Sequence, residues 1–270
     1  MEVPILKLSN GSIIPQIGLG TWNLKGQECI KAVQTALKLG YNHIDTAVAY
    51  GNHVEIGQAI KGHDRKKLFI TSKIWPNRLA YEEVLREVGT ILQELDTQYL
   101  DLLLIHWPNF HQDYKETFRA FKFLIDEEKV KSIGISNHGP KGIQKAIDAS
   151  EIPIVINQVE MHPFMHQEEV RKYCKKHDII VTAYSPLGHG RVPSDSTLSE
   201  LAKKYKATAS QVALAWLLSK GVVVIPKATS ETHLRENLEA INLKLNQFEL
   251  ELIDALPEQR IFSPGFSDFS

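Results

Sequence analysis

The chain has 270 residues, of which 43% are hydrophobic and 23% charged. That supplies apolar mass for a large core and excludes a disordered or low-complexity chain. Thirty-one basic against 32 acidic residues leave a net charge of −1, which excludes a pervasive basic surface for nucleic acid. Only Cys29 and Cys174 are present, so a disulfide framework is excluded. No charged segment followed by an apolar stretch opens the sequence, and no apolar run is long enough for a membrane span. A cytoplasmic, soluble protein is the expectation, with no membrane or nucleic-acid partner.

The segment PILKLSNGSIIPQIG reads as two short strands around Asn10-Gly11, a strong two-residue hairpin signal. It precedes the first main strand and is expected to cap the bottom of a barrel. Eight short apolar runs then succeed one another: QIGLGTW, NHIDTAVAY, KLFITSK, LDLLLIHW, KSIGISN, IVINQVE, IIVTAYS and VVVIPK. Between them lie stretches of helical period at Gln27 to Leu39 (stopped by Gly40), Tyr81 to Leu95, Tyr114 to Ile125, from Pro140, Gln167 to Lys176, Ala209 to Ser219 and Glu231 to Ala240. Strands alternating with helices imply βαβ units and a parallel sheet. Near-continuous apolar strands such as LDLLLI suit a sheet buried on both faces. A doubly wound sheet would show G-x-G-x-x-G after its first strand. Here GLGTW turns polar at once, and the third glycine is missing. The predicted fold is a (β/α)8 barrel in one domain over residues 1–270. The cluster Lys61 to Lys67 reads as a solvated helix end, and Trp216 inside ALAWLL as helix core.

Each apolar run ends on a polar or reactive group that a buried strand does not need: Trp22, Asp45, Lys73, His106, Asn137, Gln158, Tyr184 and Lys227. Strands with their C-terminal ends at one rim gather these groups round one mouth, where such barrels keep their chemistry. Tyr50 follows Asp45 by five residues. A phenol of ordinary pKa near 10 is a poor acid at neutral pH. A nearby Lys73 ammonium is expected to lower that pKa, with Asp45 holding the ammonium and His106 bonding a substrate oxygen. The set makes a general acid over a carbonyl group. Singly, each residue also reads as a cap, a snorkelling lysine, a core histidine or a packing aromatic. Trp22, Trp75 and Trp107 at one rim suggest an apolar pocket wall, which Phe110 and the tail residues Phe262, Phe266 and Phe269 could complete.

In the motifs GYNHIDTAVAYGN, TSKIW, DLLLIHWP, GISN, NQVE, YSPLG and IPK, in this order and over essentially its whole length, the chain resembles the aldo-keto reductase family. Its flavour is that of the small bacterial 2,5-diketogluconate and methylglyoxal reductases. The resemblance implies a barrel that binds NADPH without a Rossmann fold and reduces aldehydes and ketones, with NADH a less preferred cofactor. It puts Asp45, Tyr50, Lys73 and His106 in the catalytic tetrad. It assigns Gly20, Thr21 and Trp22 to the start of the cofactor cleft. Ser136, Asn137 and Gln158 match contacts to the nicotinamide carboxamide, and Tyr184 the ring that stacks on the nicotinamide. Ser185, Leu187 and Gly188 match the pyrophosphate loop, and Glu236 and Asn237 the adenine contacts. Lys227, with Thr229 and Ser230 where the next helix should begin, marks the 2′-phosphate site.

The chain departs from the family at Asn42, His53 and His138, where arginine, glutamate and phenylalanine are common. At the 2′-phosphate site Ala228 and His233 replace the common serine and arginine. Two rival functions remain open. A metal-dependent barrel hydrolase wants an H-x-H pair on an early strand, and none is present there; GHG at His189 is the nearest pattern. A non-catalytic, cofactor-binding regulator could keep the same fold. A small carbonyl substrate, no metal and a monomer are the expectations.

Overall fold

The computed structural model describes residues 3–109 and 111–261. Two strands, β1 (Ile5–Lys7) and β2 (Ile13–Pro15), pair antiparallel. Eight more form a parallel sheet in sequence order: β3 (Leu19–Gly20), β4 (His43–Asp45), β5 (Phe69–Ile74), β6 (Leu102–Ile105), β7 (Ile133–Ser136), β8 (Ile154–Glu160), β9 (Ile180–Tyr184) and β10 (Val223–Val224). A parallel bridge from Ile17 to Val224 joins the first of these to the last and closes the cylinder. This is the (β/α)8 barrel.

Among the described residues eleven α-helices accompany the strands: α1 (Gly26–Leu39), α2 (His53–Ile60), α3 (Tyr81–Glu94), α4 (Tyr114–Asp126), α5 (Pro140–Ala149), α6 (Glu168–Lys176), α7 (Arg191–Ser194), α8 (Ser196–Tyr205), α9 (Ala209–Ser219), α10 (Glu231–Glu239) and α11 (Gln247–Asp254). The expected helices form within a residue or so of their expected ends. Gly40 closes α1 in the left-handed region, at φ 106°, its N–H on the carbonyls of Ala36 and Leu37. Thr208 and Gln211 form a reciprocal cap on α9. Helix α2 falls within the alternation but was not among the expected stretches, and α7, α8 and α11 stand outside the alternation and were not expected. No helix among the described residues is long and apolar enough to cross a membrane.

Side chains alternate across each strand, save in β8 at its register shift against Ile133 and Gly134, so the apolar residues divide into two cores. Leu102, Leu104, Val155, Ile156, Val223 and Ile225 fill the cylinder. Their neighbours face outward into the layer packed against the helices. Leu8 and Ile14 of the hairpin join the inner cluster, so the hairpin plugs the bottom as expected. Its turn is longer than the Asn10-Gly11 pair suggested. Lys7 pairs with Ile13, leaving a five-residue connection from Leu8 to Ser12, with Gly11 at φ 90°. The Asn10 amide reaches instead to the Lys131 carbonyl (3.2 Å) and Ser132 Oγ (3.0 Å). It thereby fastens the plug to the start of β7.

The basic cluster 61–67 is only partly solvated. Arg65 bonds Asp101 (2.7 Å) and the carbonyls of Leu68 and Tyr99. Its guanidinium locks the approach to β5 against the approach to β6. Trp216 is fully buried, its Nε1–H on Asp254 (2.8 Å).

Candidate active site

Six of the polar groups expected at the strand ends, together with Tyr50, meet at one end of the cylinder. Asp45 ends β4, Lys73 is next to last in β5, His106 directly follows β6 and Asn137 directly follows β7. Gln158 lies two residues before the end of β8, and Tyr184 ends β9. Lys227 stands three residues beyond β10, which is shorter than the sequence suggested.

Lys73 is fully buried and Asp45 nearly so. Such a pair survives only when its bonds replace water. The Lys73 ammonium gives one bond to Asp45 Oδ1 (2.5 Å), one to the Thr46 carbonyl (2.9 Å) and one to Tyr50 Oη (3.3 Å). Its three donors are thus spent, and its direction is fixed. The second Asp45 oxygen accepts from Gln158 Nε2 (2.7 Å). Thr21 binds the Asp45 carbonyl (2.8 Å). Tyr50 closes a single turn of 3₁₀ helix, Val48–Tyr50. Lys25 clamps that turn by donating to the carbonyls of Tyr50 and Gly51. Buried Asn52 accepts from Thr46 Oγ1 and donates to the carbonyls of Thr21 and Leu24. Neither residue was legible as part of the site, because both act through backbone carbonyls that carry no sequence signature.

Electrostatics correct one expectation. Burial, reinforced by the Asp45 charge, pushes the Tyr50 phenol well above its ordinary value. The Lys73 charge does not dominate, because Asp45 already balances it at contact distance. Burial in turn lowers the Lys73 pKa, against the pull of Asp45. Burial, then the Lys73 charge, hold His106 well below the usual histidine range. Its ring meets Tyr50 and Trp75 edge-on, at 5.6 and 5.1 Å between centroids. The site thus presents a protonated phenol beside a neutral imidazole.

A second network continues from this one. Asn137 sits at φ 65°, a strained region for a residue with a side chain. Its amide donates to the His106 carbonyl (2.9 Å) and Ser136 Oγ (3.0 Å) and accepts from Tyr184 Oη (2.8 Å). Ser136 Oγ donates to the Gln158 carbonyl (2.7 Å). His138, the departure beside it, donates from Nδ1 to the Ser136 carbonyl (2.8 Å) and accepts at Nε2 from Tyr114 (2.9 Å). His53, another departure, bridges Glu94 and Ser72. Both departures are buried and bonded beneath the mouth.

A cavity of about 310 Å³ runs across this end. Asp45, Tyr50, His106, Trp22, Trp75 and Trp107 line it, together with Gly20, Thr21, Ser136, Asn137, Gln158, Tyr184, Ser185 and Lys227. A Cβ on Gly20 would stand 2.5 Å from the Ile225 carbonyl, so only glycine fits there. Ala49, Pro186, Ile225 and His189 also line the cavity and were not foreseen. His189 meets Trp22 edge-on and bonds Ser185 Oγ (2.9 Å).

Leu187, Gly188, Thr229, Ser230, Glu236 and Asn237 lie outside that lining. Ser230 caps α10 by accepting from the His233 N–H (3.2 Å), and Asn237 is buried in the same helix. Phe110 and the tail phenylalanines lie outside the described residues. No group of three or more metal-ligating side chains gathers among the described residues.

Two fully buried histidines make stability depend on pH. Burial lowers His43 and His138 to about 4. Between their unfolded value near 6.5 and about 4, the unfolded chain binds protons that the folded chain refuses. Stability is therefore complete above about pH 6.5 and falls as pH drops toward 4. We expect a loss of about 2 kcal/mol per histidine between pH 7 and pH 5. Urea unfolding at the two pH values measures it, and equal midpoints would refute it.

A sequence model of the Aldo/keto reductase family matches residues 16–258. The glyoxal reductase of Bacillus subtilis is 39% identical over 263 residues, covering 96% of this chain and 95% of its own. A crystal structure described as a putative 2,5-diketo-D-gluconic acid reductase B superposes with a TM-score of 0.94 at 34% identity, covering 98% of this chain and 95% of that one. A Gox0644 mutant crystallised with NADPH superposes at 0.93 with 33% identity, covering 98% and 97%.

Proposed function

The chain belongs to the aldo/keto reductase family, and on that premise we propose that it reduces small aldehydes and ketones, such as methylglyoxal or keto-sugar acids, with NADPH. The observation that carries this reading is one cavity lined at once by Tyr50, His106 and the rim tryptophans and by Tyr184, Ser136, Asn137, Gln158 and Lys227.

The residues present fit a reduced dinucleotide. Lys227 is exposed and forms no ion pair among the described residues. It stands just before the N-terminus of α10, where backbone N–H groups favour a phosphate. Ser136, Asn137 and Gln158 offer amide and hydroxyl groups for a carboxamide, and Tyr184 a ring face. When bound, NADPH supplies the hydride.

Tyr50 donates the proton to the carbonyl oxygen. Its raised pKa keeps it protonated through neutral pH, and the alkoxide forming on the substrate is a stronger base than a phenolate. Lys73 then faces the phenolate across 3.3 Å and balances its charge. Asp45 and Gln158 hold that ammonium in place. His106, kept neutral by burial, orients the substrate oxygen by a hydrogen bond. The tryptophans exclude water and bound the substrate. The protein acts as a cytoplasmic monomer in this reading.

Consumption of NADPH with methylglyoxal tests the proposal. Failure to turn over any activated aldehyde, with NADPH still bound, would favour a cofactor-binding regulator instead.

Cofactor choice gives a second test. Lys227 supplies a point charge for the 2′-phosphate, but His233 stands where relatives carry arginine. Arg235 does not compensate, because it is drawn to Glu231 at 2.7 Å. NADPH should be preferred by a narrower margin than in arginine-bearing relatives. Lys227→Met should cut the kcat/KM ratio of NADPH to NADH about tenfold, roughly 1.4 kcal/mol. A ratio unmoved by Lys227→Met would displace the phosphate site.

A further inference from the structure

The helices round the barrel pack side by side, α1 on α2 through to α5 on α6, and α9 on α10 back to α1. Neighbours α6 and α9 break the pattern. A groove of about 990 Å³ lies at this break, lined by α6, the start of β9, the loop after α9 from Lys220 to Val222 and the hairpin residues Lys7 to Ser9. Ile180, Val181 and Val222 contribute apolar surface to it. Ile180 begins β9 and Tyr184 ends it, so the groove opens about 13 Å below the mouth at the usual rise per residue.

Its charges do not cancel. Glu168 is taken by Lys172 (2.6 Å), and Asp254 by Lys220 (2.6 Å). Lys7, Arg171 and Lys175 then face the groove with Asp178, and the charges of Asp254 and Glu168 still act on Arg171. Arg171 is half-buried, and its guanidinium has no hydrogen bond or ion pair among the described residues. Its planar fork of five donors lines the groove with no direct acceptor among the described residues. A carboxylate or phosphate answers that fork geometry with two parallel bonds.

We propose that this groove is a second binding site, for a small organic anion whose carboxylate or phosphate sits on Arg171. Lys7 and Lys175 add attraction, and the apolar surface takes the carbon body. The site does not depend on the reductase reading, since it shares no residue with the mouth.

Calorimetric titration tests it, with pyrophosphate and glutarate as probes. Lys227→Met serves as the background, so that phosphate binding at the mouth is removed. One equivalent of either anion should bind, more weakly as salt rises. Adding Arg171→Met should weaken binding at least tenfold, while Arg171→Lys keeps part of it. Which probe binds better tells a phosphate ligand from a carboxylate one. Should Arg171→Met not fold, Lys7→Met with Lys175→Met, both exposed, must weaken binding instead. No binding to Lys227→Met, or binding untouched by loss of Arg171, would overturn the proposal.

Discussion

Tyr50→Phe should lower carbonyl reduction by roughly 100- to 10,000-fold while leaving NADPH affinity nearly unchanged. The substitution removes one oxygen and keeps the ring that meets His106 edge-on. It also frees one donor of Lys73, which retains Asp45 and the Thr46 carbonyl. The buried ion pair is thus preserved, and folding should survive. Pre-steady-state binding of NADPH separates the two effects. Near wild-type turnover would remove Tyr50 as the proton donor.

Lys73→Met should be as damaging, for a different reason. The methionine fills much of the same volume but leaves Asp45 buried with only Gln158 as a side-chain partner. Breaking a buried pair from one side costs about 3–5 kcal/mol. Thermal unfolding must therefore accompany the kinetics. In protein that still folds, the phenolate formed at Tyr50 has no balancing charge. Reduction should fall at least about 100-fold. The residual rate should follow a pH profile unlike the wild type, because the charge facing the Tyr50 phenol is gone. Full activity with an unchanged profile would put Lys73 outside the mechanism.

Much of this was legible because strand ends are costly places for charge. Asp45, Lys73 and His106 at the ends of successive apolar runs had no local reason to be there, and all three arrive at one mouth. The barrel itself was legible from alternation and from strands apolar on both faces. Other features were not. The hairpin turn followed tertiary bonds of Asn10 rather than local turn propensity. Arg65 looked solvated because sequence does not show which carbonyls will surround a guanidinium. His189 and Lys25 reach the site through loop geometry alone. The direction of the Tyr50 shift was missed because spacing reveals neighbours but not their relative distances. Asp45 sits closer to Lys73 than Tyr50 does, and burial outweighs both.

The join that closes the barrel has a consequence of its own. Strands β3 and β10 are each two residues long, and the bridge that joins their sides sits at Ile17, two residues before β3, supported by a few backbone bonds such as Gly20 N–H to the Pro226 carbonyl (3.1 Å). Pairing elsewhere is longer, up to five residue pairs between β8 and β9. This seam is the loosest stave of the cylinder, and Gly20 and Lys227 stand on either side of its upper end. On the proposed reading, a dinucleotide held at Gly20 and Lys227 would act as a clasp across the seam. Cofactor occupancy and the integrity of the whole cylinder would then draw on the same free energy, about 2.7 kcal/mol when cofactor exceeds its dissociation constant a hundredfold. Resistance to unfolding and to proteolysis would rise and fall with the supply of reduced cofactor.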